Sequence, residues 1–405
     1  MSYLRKAYLL LGMLLLLFVV SEKGNVFAAG GGEKASETYR VLEPIESGNL
    51  LLFPVVRASG KSGITSGDTT PFLTLDEGIK SGQVEVTEAG RVQGLVRHRG
   101  GPAVLEGNHL RGDQVNTLVL LNHSKQPLLL LAGEIVTGGK QDRVIAKDRI
   151  VPVDSDPIDL SVFCIEPGRW TESSAKFGAT ANMPTGSFMV QPAVRQQAMV
   201  AKDQQQVWNA VGGAISHMAV AASPMPRGAT SPGPVGFTTS ASNLGTTSYA
   251  KAMQESAVSS KVDEAVAPVM NSREQVLAQL RQEHAVGVVV AVRGEIVWAD
   301  LFADTELLSR YWTKLVRSYA AESLDGGEMH TAATVADAQH FLDASSTGTE
   351  NTEGEVGVYR YREVKSGSTD TFMLESLLPG TGYDVHISKL KLKSVEHPLR
   401  PVIMR

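Results

Sequence analysis

The chain of 405 residues is long enough for one large domain or two ordinary ones, and its 42% hydrophobic and 20% charged composition is that of a globular protein able to build a core without staples. Its single cysteine, Cys164, excludes an intramolecular disulfide framework and any multi-cysteine zinc site. A formal charge of −5 gives no broad basic surface, so nucleic acid is not an expected partner.

Arg5 and Lys6 precede an apolar stretch from Ala7 to Val20, fourteen residues interrupted only by Gly12. That length suits the core of a signal peptide and falls short of a membrane span of about 20 residues. Val26 and Ala28 place acceptable residues before Ala29, so residues 1–28 are expected to be removed on export to a periplasmic or extracellular space. An uncleaved anchor, which would be the chain's membrane attachment, and a buried helix fit the same residues. Losing the segment takes the formal charge from −5 to −7. Residues 29–40 read as a polar spacer.

One α+β domain is expected over 41–395, with a largely antiparallel sheet core and amphipathic helices packed on it. Arg40 to Arg57 reads as strand with a turn at Ser47-Gly48-Asn49, and 60–70 as a surface loop. Thr74 to Glu77 has capping-box spacing and opens a short helix ending near Gly82. Short strands follow at Val84–Thr87 and Gly94–His98. The runs Leu118–Leu121 and Leu128–Ala132, joined by Asn-His-Ser-Lys-Gln-Pro, suit a hairpin. Another strand is expected over 160–165. Val200, Val207, Val211, Ile215 and Met218 recur at helical spacing over 200–219. Residues 221–248 are too rich in Ala, Ser, Pro, Gly and Thr to fold alone and read as a long internal loop. Ser272-Arg273-Glu274-Gln275 is a second capping-box start. Val286–Val292 and Ile296–Ala299 form a hairpin, and Asp304 or Thr305 caps a helix aligning Leu308, Trp312, Leu315 and Tyr319. A helix near 334–342, a polar stretch over 345–354, strands at 356–364, 370–378 and 383–392, and a tail at 396–405 complete the chain.

The nine histidines are scattered, which removes compact zinc motifs, and no nucleophile elbow, Walker A loop or dinucleotide fingerprint occurs. No metal or cofactor is called for. Cys164, inside the apolar run Phe163–Ile165, reads as an inert core thiol. Gly138-Gly139-Lys140-Gln141-Asp142-Arg143 is the polar segment that draws attention. If 141–149 runs extended, Gln141, Arg143, Lys147 and Arg149 share one face. Beside flexible glycines, such a cluster suits a phosphate or carboxylate, and equally a solvated strand face with ion-paired Arg143. In Glu166-Pro167-Gly168-Arg169-Trp170, Pro167 and Gly168 fit the centre of a type II turn that brings Arg169 over Glu166. Trp170 reads first as a residue closing the core and second as part of a rim.

Gly138–Arg143 and Cys164–Trp170 resemble the two signature segments of the ADP-ribosylglycohydrolase and rhodanese-phosphatase associated protein domain, formerly a domain of unknown function. Leu131–Glu134, Val286–Phe302, Trp312–Leu315 and Ser318–Ala320 support the likeness, which spans about 41–345 and extends toward His386. Asp142 and Pro167 depart from the asparagine and glutamine usual there. The resemblance implies company with ADP-ribose and phosphatase proteins and no particular activity. Two functions are therefore expected. The first is a non-catalytic exported domain binding an anionic small molecule or partner through Lys140, Gln141, Arg143, Arg169 and Trp170. The second is a hydrolase of an ADP-ribose-like or phosphate-bearing substrate, with Glu134 or Glu166 as general base.

Overall fold

The computed structural model describes residues 39–58, 72–91, 94–97, 103–106, 117–223, 244–324, 330–344 and 347–392. The N-terminal apolar segment, the 60–70 loop, most of 221–248 and the tail beyond 392 lie outside the described residues.

The hairpin Ala285–Val292 and Glu295–Phe302 is the centre of the molecule. Arg293 and Gly294 turn it with φ of 51° and 85°, the two positive values that a type I′ connection needs. All eight residues of Ala285–Val292 are buried, because both faces of the sheet are covered. Leu50–Arg57 and then Tyr39–Val41 extend the sheet on one side, and Asp384–Lys391, Thr369–Ser376, Tyr359–Ser366 and Thr349–Glu355 on the other, all antiparallel. The strand Thr349–Glu355 corrects the reading of 345–354 as merely polar. Its first four side chains, Thr349 to Thr352, are exposed and the strand has no buried apolar residue, so the backbone ladder to Tyr359–Ser366 marks it as strand.

Eight helices lie among the described residues: α1 (Leu75–Lys80), α2 (Pro192–Gln196, running on into a π-helical turn), α3 (Gln204–Ala222), α4 (Tyr249–Gln254), α5 (Ser256–Met270), α6 (Arg273–Gln282), α7 (Thr305–Ser323) and α8 (Val335–Asp343). Val288 and Val290 pack with Leu308, Trp312 and Leu315 of α7, while Val289 and Ala291 pack with Ala338 and Phe341 of α8. Each fully buried Val or Leu contributes about 1.5–3 kcal/mol, so the two-faced central strand carries a large share of core stability. Thr74 and Thr334 form full capping boxes with Glu77 and Asp337, and Asp304 caps α7. Ser272 does not cap α6, because its hydroxyl donates back to the Pro268 carbonyl. The helices over 249–270 were not read from the sequence, although Val258, Val262, Val266 and Val269 form one buried stripe on α5.

The second sheet runs in the order Gly178–Ala179, Ile135–Thr137, Arg143–Ile145, Ile158–Cys164, Gly94–Arg97 and Ala103–Glu106, with Thr117–Asn122 bridging Ile158–Cys164 to Val84–Glu88. A third, small sheet joins Arg149–Val151, Leu128–Leu130 and Leu73–Thr74. The expected hairpin of 118–121 with 128–132 therefore does not form. Asn122 Nδ2 donates to the carbonyls of Gln126 and Pro152 at 3.0 Å, and its Oδ1 takes the Ser124 amide at 3.0 Å. This side-chain turn redirects the chain into the small sheet. Ala146–Asp148 is the corner between the second and third sheets.

Candidate functional site

Arg143–Ile145 lies between Ile135–Thr137 and Ile158–Cys164, so both signature segments emerge at one edge of the second sheet. There they bind each other. Gly139 has φ of 50°, and a Cβ on it would sit 2.2 Å from Phe177 Cζ. Only glycine serves at that position. Gly168, with φ of 91°, turns the second segment and sets Arg169 Nη2 2.7 Å from Glu166 Oε2. The same guanidinium donates to the carbonyls of Gly139 and Thr171 at 2.8 Å and of Gly138 at 3.2 Å. Glu166 also takes the Asp142 amide at 3.2 Å and the Lys251 ammonium at 2.9 Å. Asp142 closes the loop by accepting the Gly138 amide at 3.0 Å and the Ser248 hydroxyl at 2.8 Å.

The electrostatics follow this geometry. Burial alone would raise the Glu166 carboxyl, but the bonds from Arg169, Lys251 and the Asp142 amide hold it below its usual range. Asp142 is pushed up by burial and by the neighbouring Glu166 charge. Burial likewise raises the Cys164 thiol, whose backbone is bracketed by the Gln204 amide at 2.9 Å on both sides. This is the environment of an inert thiol.

The extended-face expectation for 141–149 is corrected. Gln141 and Arg143 are fully buried, Arg149 belongs to the third sheet, and Lys147 reaches Glu353 at 2.6 Å. Arg143 Nη1 donates to the Gln141 carbonyl at 2.6 Å, so it braces the turn from inside. Trp170 is also corrected as a core residue. It is 57% exposed; Lys140 is exposed in the first segment, and the exposed Lys251 reaches Glu166 at 2.9 Å.

Two buried charge clusters were not read from the sequence. In the first, Lys314 of α7 lies 2.5 Å from Glu134 Oε1 and 3.0 Å from Asp76. Glu134 Oε2 takes the Leu131 amide at 2.8 Å. Burial alone would lower the Lys314 ammonium, but the charges of Asp76 and Glu134 raise it. In the second, Arg195 of α2 meets Asp300 at 2.9 Å and donates to Ser388 at 2.9 Å, with Trp298 under its guanidinium at 4.6 Å. Tyr319 and Ser388 also donate to Asp300. His386 Nδ1 lies 2.6 Å from Asp148, and Nε2 3.2 Å from Asp300. That second contact is too bent to be a full hydrogen bond, so Asp148 is the stronger partner. Burial pulls Asp300 up, yet Arg195 and His386 drive it far below the carboxylate range. Burial would lower His386, but Asp148 and Asp300 raise it to about 9. Among the described residues no three His, Cys, Asp or Glu side chains are arranged to hold a metal ion, and no helix is long and apolar enough to cross a membrane.

The model of the ARG and Rhodanese-Phosphatase-superfamily-associated Protein domain matches residues 38–390, and the chain belongs to that family. The match covers both signature segments and reaches the strand that carries His386. No curated protein and no solved structure matches the chain.

Proposed function

We propose that this is a non-catalytic binding domain that recognises an anionic small molecule or partner at the signature edge, and that it works outside the cytoplasm after loss of residues 1–28. One observation carries the binding reading. An indole 57% open to solvent follows directly on the Glu166–Arg169 ion pair, and the exposed Lys251 joins that pair through Glu166. An exposed aromatic on a fixed loop beside cations suits a guest with an apolar face and a negative group. Within this reading Arg169 shapes the loop rather than touching the guest, the Gln141 side chain is enclosed beneath it, and Lys140, Lys251 and Trp170 are the contacting groups.

The hydrolase reading needs a carboxylate free to take a proton. Glu134 is enclosed against Lys314, and Glu166 serves as counter-ion to Arg169 and Lys251. The binding reading therefore asks less of the site. Titration of the full chain with inorganic phosphate, ADP-ribose and simple dicarboxylates, followed by thermal unfolding, tests it. A stabilising ligand whose effect is lost in Trp170→Ala and in Lys140→Ala/Lys251→Ala supports the proposal. Release of a hydrolysed product, or stabilisation that survives both variants, overturns it. N-terminal sequencing of protein from an export-competent host tests the localisation, for which a mature start near Ala29 is expected.

A further inference from the structure

His386 occupies a position that the binding reading does not use. It belongs to the last strand of the large sheet, yet its Nδ1 grips Asp148 at the Ala146–Asp148 corner of the other two sheets. The second oxygen of Asp148 takes the Ala132 amide at 2.7 Å, so the same carboxylate also anchors the segment leading to the Gly138 loop. Asp148 bonds Nδ1 and the Asp300 carboxylate lies 3.2 Å from Nε2, an environment that favours the doubly protonated, positively charged ring. The charges then balance: Arg195 and His386 against Asp148 and Asp300. We infer that the proton on His386 latches the signature-bearing layer onto the large sheet, and that its loss releases the 131–149 corner, making the signature edge sensitive to alkaline pH.

The groups facing His386 fix the sign. Asp148 faces it from the corner, Asp300 from the neighbouring strand, Arg195 from α2, and the Tyr319 hydroxyl shares Asp300 from α7. Phe302 packs its ring 4.7 Å away. Deprotonation would set an imidazole lone pair against a carboxylate and leave one uncompensated negative charge in the interior. The latched form keeps its proton up to a pH of about 9, against an ordinary value of 6.5. The latch is therefore fully present below pH 6.5 and weakens tenfold per unit until it is lost as pH rises through about 9.

Hydrogen exchange of the full chain between pH 6 and 9.5, corrected for the chemical exchange rate, reads this directly. Protection over 131–149 should fall by on the order of 100-fold while that over 285–302 holds. In the parent, the His386 imidazole followed by NMR should titrate far above a free histidine. His386→Gln cannot titrate, so its protection over 131–149 should be lower and flat with pH. Lys389, lowered by burial to about 8, titrates in the same window but caps the Leu342 and Ala344 carbonyls. Its effect belongs to 335–344 and is scored separately. Protection over 131–149 that tracks 285–302 at every pH, or an ordinary His386 titration, would overturn the latch. Both parent readouts stand even if the variant fails to fold.

Discussion

Arg195→Met is the most demanding test of the buried centre. Arg195 is enclosed with Asp300 at 2.9 Å, donates to Ser388 at 2.9 Å, and stacks on Trp298. A solvent-exposed pair would be worth about 0–1 kcal/mol. Here the partner carboxylate cannot reach water, and breaking a buried pair from one side costs about 3–5 kcal/mol because a charge is left uncompensated. Folded domains are stable by only about 5–15 kcal/mol, so the loss should bring the variant close to its unfolding threshold. Urea unfolding at pH 7, with the slope checked for constancy, measures it. Arg195→Lys keeps the charge but loses the fork and should fall between parent and Met. Arg195→Met combined with Asp300→Asn removes both charges and leaves His386 balanced by Asp148. That double variant should lose clearly less than the sum of the singles, by about 2 kcal/mol or more. Strict additivity, or a single-variant loss under about 1 kcal/mol, would refute the claim that this pair is desolvated and coupled.

Four further outcomes follow from the geometry. Gly168→Ala has open space for its methyl and should cost only the positive-φ penalty, about 1–2 kcal/mol. Gly139→Ala must also displace Phe177 and Glu88 and should cost about 1–3 kcal/mol more, both read as urea midpoints. The Glu166 carboxyl lies below its ordinary 4.5, so its contribution is present above pH 4.5 and is lost as pH falls through the depressed value. Glu166→Gln should therefore be less stable at pH 7 but show a shallower acid limb in stability measured from pH 7 down to 3. Cys164, 1% exposed, should resist an aromatic disulfide reagent in the native protein and react on denaturation; rapid native labelling would contradict its burial.

The elements that were legible in the sequence are those whose pattern is local. The 285–302 hairpin carries its turn in Arg293-Gly294, and α7 carries its cap in Asp304 and its stripe in Leu308, Trp312, Leu315 and Tyr319. The Glu166–Arg169 bridge follows from a four-residue turn. What failed was decided by distant partners. Both apolar runs hold strands, at Thr117–Asn122 and Leu128–Leu130, but Asn122 sends them to different sheets. Lys314 and Arg317 look like the solvent face of α7, and both are buried against Asp76, Glu134 and Asp263. One signal was available. Trp298, Asp300 and Phe302 alternate onto one face, and an acid between two aromatics on a central strand demands a buried partner.

The same reasoning applies to the two signature segments, whose charged residues fix the shape of the loop. Arg143, Arg169, Asp142 and Glu166 bond to the backbone and to one another, so each fixes the course of the loop. Removing one would leave the others buried and underpaired, at a cost far above that of a surface charge. A charged residue in such a lock is constrained for structural reasons whatever the domain binds. Under the proposed binding reading, the side chains that would choose a ligand are those that the lock leaves exposed to solvent. Trp170 follows Arg169, whose guanidinium grips the carbonyl on the far side of that indole, at Thr171. Lys140 follows Gly139, whose carbonyl the same guanidinium holds. One half-buried arginine thus ties down the backbone beside both Lys140 and Trp170, and under the proposed binding reading those two side chains and Lys251 are where a ligand preference would be set.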